Sequence, residues 1–183
     1  MTPRSLLIFL SLLIPSGIAS AEEHERRCRE LDGPFTSTLT PPPACTSVLG
    51  LCTHGILEGD LDATYDFTFD TLVPAGDPTH PGRFLYTGHS VITPDRGARH
   101  GQMFSNDHGV LDMSPDPLGL SSFATTVDVV RGTRRFREVR GTLVASGQIS
   151  FATGNASGSY AGALCHLDGD DDDRDRDHDD DDD

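Results

Sequence analysis

From Leu61 to Asp70 the chain alternates without a break. Leu61, Ala63, Tyr65, Phe67 and Phe69 share one parity; Asp62, Thr64, Asp66, Thr68 and Asp70 share the other. A helix would scatter the apolar set around its circumference, whereas a strand gathers it on one face. The stretch therefore reads as a half-buried strand. Its aromatic side is expected inward, because burying rings supplies much of a core's energy, and the Asp row then faces solvent. Were the Asp row inward instead, the interior would hold carboxylates with shifted pKa values.

The same pattern recurs along the chain. Strands are expected at 52–57, 61–72, 83–93, 99–105, 110–113, 123–130, 141–151 and 160–165. Pro74 to Pro81 is a loop, Pro94-Asp95-Arg96-Gly97 and Asn106-Asp107-His108-Gly109 read as turns, and Pro115-Asp116-Pro117 breaks the chain. From Val127 to Cys165, strand, Gly turn, strand, Gly/Ser turn and closing strand follow one another. No ten-residue segment carries a helical period. The expected fold is all-β, an eight-stranded antiparallel β-barrel. Eight strands close around an interior that side chains fill or that holds one small ligand, and closure removes exposed edges.

The two ends of the chain differ from the middle. Residues 1–21 read as a signal peptide: Arg4, an apolar run from Leu6 to Ile14, and the small residues Ala19-Ser20-Ala21. That run is too short to span a bilayer. Residues 168–183 hold twelve Asp against Arg174 and Arg176, with almost nothing apolar to bury. A disordered, acidic C-terminal tail is expected. Between them, 22–50 reads as an irregular N-terminal arm in which Phe35 to Thr40 is a candidate short strand ahead of Pro41-Pro42-Pro43, and 51–167 as the barrel domain. The stretch 22–167 carries a formal charge of −6, which disfavours general nucleic-acid binding.

All fourteen basic residues are Arg. With no Lys, Schiff-base catalysis and a P-loop lysine are excluded. Cys28, Cys45, Cys52 and Cys165 form an even set in an exported chain, so two disulfides and a secreted or periplasmic location are expected. Three pairings are open. Cys28–Cys45 and Cys52–Cys165 are favoured, because Cys52 opens the first convincing strand and Cys165 ends the last.

The segment Gly132-Thr133-Arg134-Arg135-Phe136-Arg137-Glu138-Val139-Arg140-Gly141 resembles the G-T-G-x-F-x-x-A-x-G stretch of plant dirigent proteins and of the allene oxide cyclases. The Tyr65 to Phe69 run and the Phe84 to Ile92 strand are similar to earlier strands of that barrel. Similar barrels occur as small exported bacterial proteins. The resemblance covers about Cys52 to Cys165 and implies an eight-stranded barrel whose closing strands follow this hairpin. Arg134 stands where the pattern has glycine. A positive φ costs Gly little and Arg more, so a reshaped loop is expected. The catalytic acids of those families are not placed on this chain, so their reactions do not carry over. Fold likeness alone does not establish function.

Tyr65, Phe67, Phe69 and Tyr86 are the candidate lining of a ligand pocket. Arg134, Arg135, Arg137 and Arg140 are candidates for an anion-binding loop at one mouth of the barrel, since the guanidinium fork suits carboxylate or phosphate. The Asp tail is a ready internal partner for that loop and a weak Ca²⁺ binder, without EF-hand spacing. His89, His100 and His108 lie on or beside neighbouring strands, yet parity does not set them on one face. No metal site, cofactor or catalytic residue is assigned. No nucleophile elbow, zinc-protease helix or dinucleotide fingerprint occurs. The expected role is non-catalytic binding of a small hydrophobic molecule, or a structural extracellular component. The resemblance supplies the alternative, an isomerase or cyclase acting inside the barrel, and the Asp tail a third, adhesion to a partner or mineral.

Overall fold

The structure, a computed structural model, describes residues 28–94, 101–113 and 119–167. The expected signal peptide and acidic tail lie outside these residues. Eight strands run β1 (Cys28–Leu39), β2 (Cys52–Leu57), β3 (Ala63–Pro74), β4 (Arg83–Pro94), β5 (Met103–Asp112), β6 (Leu120–Gly132), β7 (Arg140–Ser150) and β8 (Asn155–Cys165). Each pairs antiparallel with the next, and β8 pairs with β1, so the sheet is a closed barrel. The only helical turn among the described residues is the 3₁₀ segment Arg134–Phe136 between β6 and β7.

The strand count agrees with the sequence reading, but two of the strands differ from it. The segment expected to be an irregular arm contains β1. It pairs with β8 over its whole length up to Thr38, and through Phe35–Leu39 with β2. Leu31, Phe35 and Ser37 point into the barrel and are buried. The apolar alternation is diluted there by Gly33 and Ser37 at inward positions, so only the Phe35 to Thr40 end shows as a candidate strand and its full length does not. The expected turn at Asn106 to Gly109 is instead the middle of β5. Its backbone is paired on both sides, by β4 and by β6, and ladder bonds on two flanks outweigh the turn preference of Asn, Asp and Gly.

The extra strand also corrects the disulfides. Cys28 bonds Cys165, and Cys45 bonds Cys52. Cys28 and Cys165 are register partners in neighbouring strands. With β1 inserted between β2 and β8, Cys52 and Cys165 fall at opposite ends of the barrel and cannot meet. Cys45–Cys52 instead ties the Pro-rich connection to the start of β2.

The interior splits into two apolar clusters. One lies at the end where β2, β4, β6 and β8 finish; it contains Leu31, Leu61, Met103, Val129 and Leu164, plus Phe136 and Val139 from the β6–β7 connection. Phe136 and Val139 are 1% and 0% exposed and seal this end. The second cluster, at the far end, contains Phe69, Tyr86, Leu111, Ile149 and Ala156. Tyr160 fixes the sealed end. Its hydroxyl accepts the Leu61 N–H at 3.0 Å and donates to the Glu58 carbonyl at 2.9 Å, holding the β2–β3 connection over the barrel.

Candidate functional site

Between the two clusters the barrel is not filled. A cavity of about 110 Å³ remains, several times what one water needs. Phe35 of β1, Tyr65, Phe67 and Phe69 of β3, Tyr86 of β4 and Phe123 of β6 supply its aromatic wall. Phe67, Phe123 and Phe151 line it and are only half-buried. With the other end sealed by Phe136 and Val139, access among the described residues is from this far side.

All four pocket candidates named from the sequence, Tyr65, Phe67, Phe69 and Tyr86, line this cavity. The rings meet edge-on or tilted: along β3, Phe67 meets Phe69 with centroids 4.6 Å apart, and across to β4, Phe69 meets Tyr86 at 5.1 Å. Mid-strand glycines make room for them. A Cβ on Gly109 would stand 2.7 Å from the Tyr86 ring and would overlap the Ala124 carbonyl oxygen. Glycine inside a strand commonly marks such a close approach.

The alternative in which the Asp row faces inward is not realised. Asp66 and Asp70 are exposed on the outer face, where Asp66 accepts from His54 Nδ1 at 2.8 Å and Asp70 from His89 Nδ1 at 3.1 Å. Asp70 sits at the register shift between Phe69 and Thr71. His108 lies outside as well, 3.9 Å from Asp128. His100 falls outside the described residues. Among those residues no group of three or more His, Cys, Asp or Glu side chains is placed to hold a metal ion.

One carboxylate does enter the cavity, and the sequence reading missed it. Asp107, expected in a turn, is 3% exposed and lines the pocket from β5. Ser90 Oγ donates to its Oδ2. Its Oδ1, and Ser105 Oγ beside it on the same strand, have no hydrogen-bond partner among the described residues. Burial raises the Asp107 pKa; the Ser90 hydrogen bond opposes it, and so does the nearby Ser105 hydroxyl, which lies close enough to favour the charge without hydrogen-bond geometry. The signal that would have found it is parity: Met103, Ser105, Asp107 and Leu111 share one face of β5, and Met103, Ser105 and Leu111 are buried with it.

The tyrosines respond to the same dry surroundings. Burial, opposed by the hydrogen bond with Thr125 and reinforced by the Asp107 charge, pushes Tyr86 up to about 12. Burial likewise raises Tyr65, against the Ser37 hydroxyl and with Asp107 adding to it. Both phenols remain neutral hydrogen-bonding groups at physiological pH. The site thus offers aromatic faces, hydroxyls of Tyr, Ser and Thr, and one carboxyl with an open acceptor position.

The arginine loop stands elsewhere. Arg134, Arg135, Arg137 and Arg140 are exposed around Phe136 and Val139 at the sealed end, so the loop does not form the cavity mouth. Phe136 and Val139, buried from the same short connection, leave the guanidinium groups no inward course. Arg134 has φ 53, the left-handed conformation expected of a glycine there. Holding it costs an arginine roughly 1–2 kcal/mol, and the burial of Phe136 two residues on offsets it.

No family model matches the chain, and no curated protein matches it. Among solved structures it is similar to that of the pterocarpan synthase dirigent protein GePTS1, at 16% identity over 78% of this chain and 86% of that chain, with a TM-score of 0.42.

Proposed function

We propose that the protein binds a small, largely apolar molecule inside the barrel, with one polar group of that molecule against Asp107. The observation that carries this reading is the unpartnered Asp107 oxygen in a largely apolar cavity. A buried acceptor left unpaired costs about 1–3 kcal/mol, and a ligand that donates to it recovers that energy on binding. Apolar walls with a few convergent polar groups are the general form of a small-molecule site. Two disulfides suit an oxidising compartment, which supports binding outside the cytoplasm.

Filling the cavity tests this. Ala145 lines it from β7, and Ala145→Phe would occupy much of the space. Titration with a fluorescent naphthalene probe, with native mass spectrometry of whatever co-purifies, should show binding to the wild type and at least a tenfold loss in A145F. Equal binding by both proteins, with A145F folded by circular dichroism, would refute an internal site. The raised Asp107 pKa favours a second reading, a proton donor to a bound molecule in a cyclase or isomerase. It differs in demanding turnover that Asp107→Asn abolishes while probe binding persists.

A further inference from the structure

We infer that the exposed arginine face at the sealed end is the docking surface for the chain's own Asp-rich segment, residues 168–183. The observations belong to the β6–β7 connection and to the end of β8, not to the cavity, so the inference stands apart from the ligand reading.

Arg134, Arg135, Arg137 and Arg140 all point to solvent from one short connection, because Phe136 and Val139 between them are buried. Arg135 is seated over the Phe136 ring at 4.5 Å, and Arg131 over Phe104 at 4.8 Å. Arg140 Nη1 donates to the Val139 carbonyl at 2.6 Å. These guanidinium groups are held in place, so little entropy is lost when an anion meets them. Among the described residues no ion pair joins Arg135, Arg137 or Arg140 to a carboxylate.

The root of the acidic segment lies at the same place. Cys165, the last residue of β8, is the register partner of Arg140. Leu167 packs on the cluster that contains Phe136 and Val139. From there the sequence continues with sixteen residues carrying twelve Asp and two Arg. Such a length reaches at most roughly 55 Å, well beyond the loop, and a covalent tether of this size presents its charges at an effective concentration on the order of millimolar. The Arg fork donates to two carboxylate oxygens at once. An outside polyanion would have to displace this tethered competitor, so the segment acts as a built-in blocker of the arginine face.

The test uses the full chain labelled with ¹⁵N. Spectra are compared at about 20 mM and about 300 mM NaCl, which shortens the Debye length from roughly 20 Å to roughly 6 Å. The amides of Arg134 to Arg140 and those of the Asp segment should shift together with salt. In R135Q/R137Q/R140Q the Asp signals should lose that shift while the barrel amides stay dispersed. If the triple variant unfolds, the wild-type salt titration alone decides, because loop and segment must respond with one midpoint. Asp signals that ignore salt, or that match in wild type and variant, would overturn the inference. So would shifts that grow with protein concentration, which would put the segment on a neighbouring molecule.

Discussion

Replacing Asp107 with Asn isolates the cost of the buried carboxyl. In the folded state burial raises the Asp107 pKa above its ordinary value of 3.8, whereas in the unfolded chain the group titrates near that value. Between the two pKa values the folded state binds more protons than the unfolded one, so stability falls as pH rises through this window. Below about pH 4 both states are protonated, and the variant, nearly the same shape, should match the wild type. As pH climbs, the wild type loses about 1.4 kcal/mol for each unit by which the folded value exceeds the unfolded one, and the neutral amide of D107N loses nothing. Urea melts from pH 4 to pH 8 with the disulfides intact should therefore show D107N gaining on the wild type as pH rises. The gain should level off at about 1.4 kcal/mol for each unit of pKa difference, and the pH at which it levels off reads the folded-state pKa. Taking the difference between two proteins cancels the other titrating groups. Parallel pH profiles, or a variant less stable than the wild type at pH 7, would mean that Asp107 is solvated and that the cavity polarity has been misassigned.

Two further measurements bear on the frame around the site. Tyr160→Phe removes the hydroxyl that serves the Leu61 N–H and the Glu58 carbonyl; thermal denaturation should show a loss of roughly 2–3 kcal/mol, and a loss under about 0.5 kcal/mol would place that contact in solvent. The two disulfides close loops of very different length, with separations of 137 and 7 residues. C28S/C165S should cost about 5 kcal/mol against about 2.5 for C45S/C52S by the loop-entropy relation, and peptide mapping of the oxidised protein checks the pairing itself.

The pocket wall is legible in advance because its signal is local. The alternation of Tyr65, Phe67 and Phe69 against Asp66 and Asp70 survives intact in β3, since a strand's parity decides which face a side chain takes and the rings have only one dry side to go to. Asp107 is illegible for the opposite reason. Asn106-Asp107-His108-Gly109 has the composition of a turn, and only the flanking strands β4 and β6, both outside that stretch, hold it extended. The same holds for β1, whose inward Gly33 and Ser37 blur its pattern and whose partners β8 and β2 supply its hydrogen bonds.

The order of residues by itself determined the class of fold, the aromatic identity of the interior and the even set of cysteines, because period-two patterning and composition act within a few residues. Tertiary structure alone decided which cysteines meet, which end of the barrel is sealed and that a carboxyl lies among the rings. Each of those depends on which strands become neighbours when the sheet closes, and closure is a property of the whole cylinder that no single stretch of chain contains.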